Sequence, residues 1–107
     1  MTFRDAKLEE ALLHAAAPFV QSLSNRTSLI TLTRVILSEK GDYAIIYMTV
    51  MPTEKEKEAL EFLRRQRFDL RDFIKKNIRT RMIPRVDFAI DLGEKNRQKI
   101  DELSREH

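Results

Sequence analysis

Apolar residues recur at Leu8, Leu12, Ala15, Ala16, Phe19 and Leu23 within the stretch from Phe3 to Leu23, the spacing of one stripe along an α-helix. Pro18 falls inside this helix and removes a backbone donor, so a kink is expected there in preference to an early end. The polar group SNRTS, Ser24 to Ser28, breaks the pattern. LITLTRVILS then follows, rich in β-branched residues, and reads as a strand. EKGD, Glu39 to Asp42, has turn chemistry around Gly41, and YAIIYMTVM, Tyr43 to Met51, completes a β-hairpin. In this second strand Ala44, Ile46, Met48 and Val50 share one face, predicted to be core, and Tyr43, Ile45, Tyr47 and Thr49 share the other. The first strand has apolar residues on both faces, and its core face cannot be assigned from alternation.

Pro52-Thr53 before EKEKEALEFLRRQ looks like a helix start, with Thr53 as N-cap and acids near the positive end of the dipole. The helical period continues through Leu70, Phe73, Ile74 and Ile78. Residues from Thr53 to Thr80 therefore form either one long helix or a helix pair. Pro84 ends the period, and RVDFAID alternates polar residues with Val86, Phe88 and Ile90, predicting a third strand. LGEKNRQKIDELSREH is polar and predicts a short last helix. Phe3, Phe62 and Phe88 read as core fillers. The predicted order is helix, strand, strand, helix or helix pair, strand, helix: one α+β domain over residues 1–107, with a polar tail from about residue 93.

Charge changes this picture. RRQRFDLRDFIKKNIRTR, Arg64 to Arg81, holds eight cationic side chains against two aspartates. Its local surplus of six exceeds the +3 of the whole chain, so the remainder is mildly acidic. Such a local cationic field concentrates an anionic partner. Arg67, Arg71, Lys75 and Arg79 are four apart and form a stripe beside the apolar one. The simpler alternative is a solvated helix face neutralised by Glu61, Asp69 and Asp72. Arg34, in mid-strand, either projects from an open sheet face or pairs with an acid. Tyr43 and Tyr47 invite base stacking on an open face, but an aromatic pair stiffening a hairpin is the simpler reading.

Other chemistry finds little support. The chain has no cysteine, and its histidines are His14, among alanines, and His107, the last residue. Neither has a nucleophile or carboxylate at a recognisable spacing, and no paired ligands suggest a metal or cofactor. Asp87 and Asp91 share a strand face and could hold a magnesium ion or act as an acid–base pair; solvent-facing strand acids are the simpler reading. The longest mostly apolar run, YAIIYMTVM, is far short of the roughly 20 residues of a membrane helix, and MTFRDAKLEE lacks the apolar centre of a signal peptide. A soluble cytoplasmic protein is expected, with no membrane partner and no small-molecule substrate. The absence of a coiled-coil pattern makes a monomer the expected state.

The order of elements, together with LITLTRVILS, the strand from Ala44 to Val50 and LRDFIKKNIRTRMIPRVDFAID, resembles the ribosome-binding factor A family. Members have a Thr-rich first strand, a second strand beginning near an Ala, and a basic helix running into Arg-x-x-Pro. An aromatic then lies in a strand that ends with Asp. Here those last features are Arg81-Met82-Ile83-Pro84, Phe88 and Asp91. The resemblance covers about residues 3 to 100 and is most specific from Leu70 to Asp91.

The resemblance implies a type II KH-like domain, a three-stranded sheet with helices packed on one face. It also implies binding to the 30S small subunit late in assembly, help with maturation and processing of 16S rRNA, especially in the cold, and no covalent chemistry. A GXXG clamp of ordinary KH domains is impossible, because the only glycines are Gly41 and Gly93. The family bends between two helices instead, usually at small residues; here Gln66-Arg67-Phe68 occupy that position. Arg85 stands where the family often has Glu and adds another cation. The expected RNA-binding residues are Arg67, Arg71, Lys75, Lys76, Arg79, Arg81 and Arg85. A basic KH-like module meeting other structured RNA, or an acidic protein partner, is the alternative.

Overall fold

The computed structural model describes residues 6–24, 28–79 and 82–94. The first helix, α1, spans Ala6–Leu23 and runs through Pro18, which lies on its exposed side. Leu12, Ala16 and Val20, one turn apart, form its buried stripe. Two strands follow, β1 (Leu29–Leu37) and β2 (Tyr43–Met51), paired antiparallel. Gly41 makes the turn between them with φ of 72°, a conformation that a Cβ would strain. Ser38 closes this turn by donating its hydroxyl to Asp42 (2.8 Å) and accepting from the Tyr43 amide (3.1 Å).

The core face of β1 is decided by an irregularity. Its register to β2 shifts between Leu32 and Arg34, leaving Thr33 as an extra residue. Before the bulge the helix-facing positions are Ile30 and Leu32; after it they are Val35 and Leu37, opposite Ile46 and Ala44. Even and odd positions thus take turns in the core, which is why the strand looks apolar on both faces.

After β2, a single 3₁₀ turn at Thr53–Lys55 leads into α2 (Glu56–Arg65), and α3 (Arg67–Asn77) follows. Thr53 is not an N-cap, since no side chain caps either the 3₁₀ turn or α2. The long connection returns the chain to β3 (Arg85–Ile90), which lies parallel to β2; such a pairing requires a crossover of this kind. The sheet order is β1-β2-β3. Ala59 and Leu63 of α2 and Leu70 and Ile74 of α3 are buried with Ala44, Ile46, Met48, Val86 and Phe88. Phe19 of α1 meets Phe73 of α3 with ring centroids 5.6 Å apart. The fold is α+β, a three-stranded sheet with its helices on one face. Phe62 is half-buried, Phe88 is fully in the core, and Phe3 lies outside the described residues.

Both sheet edges are met by helix side chains. On β1, Glu9 accepts from the Leu37 amide (2.7 Å), and Gln21 donates to the Ile30 carbonyl (3.3 Å). On β3, Arg64 donates to the Phe88 carbonyl (3.2 Å). These contacts occupy backbone groups that would otherwise invite a further strand.

Candidate nucleic-acid interface

The choice between one helix and two is decided at Gln66. Its backbone (φ −93°, ψ 1°) lies in the bridge region and separates α2 from α3. The Gln66 amide bonds back to Leu63, and its carbonyl accepts from Leu70 (2.9 Å), so the bend leaves neither group unused. Because φ is negative, no small residue is required. The bend turns the first residues of α3, Arg67 and Phe68, out beside the edge of β3.

Two grooves meet at this point. One, about 1140 Å³ in volume, lies between α3 and the segment leading to Pro84, and Phe68, Arg71, Lys75 and Arg79 line it together with Asp72. The other, about 400 Å³, lies between the start of α3 and the edge of β3, lined by Tyr43, Arg67, Phe68, Arg71, Arg85 and Asp87. Arg67, Arg71 and Lys75 are placed by helical period. Arg79 is not, since α3 ends at Asn77 and Ile78 is extended (φ −129°, ψ 134°); the turning chain brings Arg79 to the groove. Lys76, about 100° round the helix from Lys75, lines neither groove. Arg81 lies outside the described residues.

The described ion pairs join Arg34 to Asp91, Lys55 to Glu58 and Arg64 to Asp87, and His14 lies 4.0 Å from Glu10 on α1. Among the described residues none engages Arg67, Lys75, Lys76, Arg79 or Arg85. The helix face neutralised by Glu61, Asp69 and Asp72 is therefore not what the chain forms. Arg71 differs from its neighbours: it is half-buried, donates from Nη2 to the Ile83 carbonyl (3.2 Å), and has a buried Nε with no hydrogen-bond partner. It fastens α3 to the segment before Pro84 as well as lining both grooves.

The two strand aspartates are not free carboxylates. Asp87 accepts from Arg64 Nε (3.0 Å) and lies 3.4 Å from the Tyr43 hydroxyl. Asp91, expected to face solvent, is buried just past the end of β3. It accepts from the Thr33 hydroxyl (2.6 Å) and the Glu94 amide (3.0 Å), with Arg34 Nε at 3.5 Å. The bulge in β1 presents Thr33 to it. The Thr33 hydrogen bond foremost, then the Glu94 amide, holds the Asp91 carboxyl below the ordinary aspartate range against the opposing effect of burial, with the Arg34 charge and the Gly93 amide assisting. Arg34 also lies over the Tyr47 ring, 4.7 Å from its centroid, so this tyrosine is covered by a cation on the open sheet face. No group of three or more His, Cys, Asp or Glu suited to a metal ion occurs among the described residues, and no helix among them is long and apolar enough to cross a membrane.

A family model described as ribosome-binding factor A matches residues 4–104. The chain belongs to the ribosome-binding factor A family. The ribosome-binding factor A of Thermotoga petrophila is 31% identical over 105 residues, covering 94% of this chain and 80% of that protein. That of Fervidobacterium nodosum is 31% identical over 97 residues, covering 90% and 75%. Among solved structures, the crystal structure of ribosome-binding factor A from Thermus thermophilus superposes with a TM-score of 0.72 at 29% identity, covering 82% of this chain and 97% of that one. A homology model of the Thermus thermophilus factor, fitted into a cryo-electron-microscopy map of its 30S complex, gives 0.71 at 30% identity, covering 80% and 93%. The KH-like architecture expected from the sequence is thus the one observed.

Within this ribosome-binding factor A fold, sequence reasoning missed Phe68 and the division of labour among the arginines. Phe68 was legible in one respect: it stands off the apolar stripe of Leu70, Phe73, Ile74 and Ile78, so it could not be core. Arg64 and Arg71 gave no such signal, since their partners are brought to them only by the fold.

Proposed function

We propose that this protein is an assembly factor that binds the small ribosomal subunit and assists late maturation and processing of its 16S rRNA. The observation that carries the reading is the cluster of Arg67, Lys75, Arg79 and Arg85 beside two adjoining grooves, with no carboxylate among the described residues in ion-pair contact with them. Cations left without internal partners attract phosphates, and their binding releases condensed counterions. The arginines among them also offer the planar fork that matches a phosphate. Membership of the ribosome-binding factor A family, and the Thermus thermophilus homologue fitted in a 30S complex, support the small subunit as the target. The full set Arg67, Arg71, Lys75, Lys76, Arg79, Arg81 and Arg85 stands as the proposed RNA-binding surface, with Arg71 also structural. Residues 1–107 act as one domain, as a cytoplasmic monomer. With no catalytic group invoked, the factor acts through binding energy: by favouring one rRNA conformation it shifts the population towards it.

Co-sedimentation with small subunits, large subunits and intact ribosomes across a salt series tests this. The paired reversal Lys75→Glu/Arg79→Glu is the informative variant, because both residues are exposed and neither has an ion-pair partner among the described residues. Selective, salt-sensitive binding to small subunits is expected. The variant should bind more weakly and lower the slope of log K against log salt by about 1.5. Undiminished binding by the folded variant would remove the surface assignment. Binding that survives ribonuclease treatment of the target would favour an acidic protein partner.

A further inference from the structure

Phe68 is 66% exposed, directly after the bend at Gln66, and it lines both grooves. Neither packing nor capping accounts for it: its helix already has Leu70 and Ile74 for the core and no side-chain cap. Its surroundings are cationic. The Arg67 guanidinium lies 5.8 Å from its ring centroid, Lys75 and Arg79 line the groove on one side, and Arg85 lines the groove on the other. The carboxylates that line the grooves are Asp72 in the first and Asp87 in the second, the latter engaged by Arg64, and Asp69 follows Phe68 in the first turn of α3. An exposed phenyl set between two cationic channels suits a strand whose phosphates run along both while one base leaves its neighbours and stacks on the ring.

We infer that Phe68 is a stacking platform for an unpaired nucleobase of RNA, with the flanking phosphates held by Lys75 and Arg79 on one side and Arg67 and Arg85 on the other. This rests on the RNA-binding reading above and deepens it: the ligand is a single-stranded or looped segment, and a continuous helix is disfavoured. A duplex offers phosphates to the cations but no free base face to the ring. A mononucleotide fills only one side of Phe68, whereas a strand uses both grooves.

The test uses short single-stranded oligoribonucleotides containing 2-aminopurine, the same sequence closed in a duplex, and adenosine monophosphate alone. Each is titrated against the protein of residues 1–107 and its variants Phe68→Ala, Phe68→Leu and Phe68→Trp. The expected result is quenching of the 2-aminopurine by wild type and Phe68→Trp, with about a 5- to 150-fold loss of single-strand affinity in Phe68→Ala and Phe68→Leu. The salt slope should stay unchanged in all three, because no charge is removed. Duplex affinity should be insensitive to all three substitutions. Equal single-strand affinity of wild type and Phe68→Ala would overturn the stacking proposal while leaving the RNA reading in place. Full affinity in Phe68→Leu would overturn it too, by reducing the contact to apolar burial. Adenosine monophosphate bound as tightly as the oligonucleotide would overturn the strand. Wild type that binds neither oligonucleotides nor small subunits would remove the RNA reading itself. Thermal melting of each variant verifies the fold, which an exposed side chain should not disturb.

Discussion

Individual residues in the basic segment divide by what the fold asks of them. Arg64 spans from α2 to β3, meeting Asp87 at 3.0 Å and the Phe88 carbonyl at 3.2 Å. Both ends of the ion pair are partly exposed, so its charge contributes little, and Arg64→Ala should cost about 1 kcal/mol in denaturant unfolding. The same variant should leave the salt slope of small-subunit binding unchanged. Asp91 is the stronger anchor. Asp91→Ala would remove the carboxylate that accepts from the Thr33 hydroxyl and the Glu94 amide, and a loss of about 1–3 kcal/mol is expected. Its lowered pKa also sets a pH dependence. In acid the unfolded chain takes up the proton before the folded one does, so this stabilisation is complete above the ordinary aspartate range. It is lost as pH falls through the lowered folded value. Melting curves of wild type and Asp91→Asn should therefore differ at neutral pH and converge towards acid; a constant gap would contradict the assignment.

Two elements owe their form to one residue each. In β1 the extra residue Thr33 moves the core-facing set from Ile30 and Leu32 to Val35 and Leu37. Deleting Thr33 would force a choice: either Val35 and Leu37 turn to the open face or the first half of the strand does. It would also remove the Asp91 partner, so loss of cooperative melting is expected from this deletion, whereas Thr33→Ser should melt close to wild type. At the helix bend, Gln66 has negative φ, so Gln66→Ala should be tolerated with little change in stability. Gln66→Pro would remove the amide that bonds to Leu63. The helices themselves were legible because their apolar spacing is unbroken across the bend. The bend was placed at Gln66-Arg67-Phe68 by the family resemblance alone, because the bridge conformation is open to most residues and leaves no compositional mark.

At the scale of the molecule, the helices fill one face of the sheet, and the bend delivers cations to the far edge, beside β3. Local field, more than the chain's net +3, then governs encounter with an anionic partner. What the sequence alone determined is the order of elements as far as β3, the α+β class, the core face of β2 and the cationic character of α3. Each of these follows from spacing within a single segment, where period and charge are read directly. The last helix expected in the polar tail lies beyond the described residues, which end at 94. What the tertiary structure decided is which charges remain available. Arg64 is taken by a residue 23 positions away, and Asp91 by Thr33, 58 positions away. Arg79 joins Lys75 after the helix has ended, and Phe68 is left uncovered between two grooves. A side chain's availability depends on which distant groups the fold brings within hydrogen-bonding distance, and no spacing along one segment encodes that.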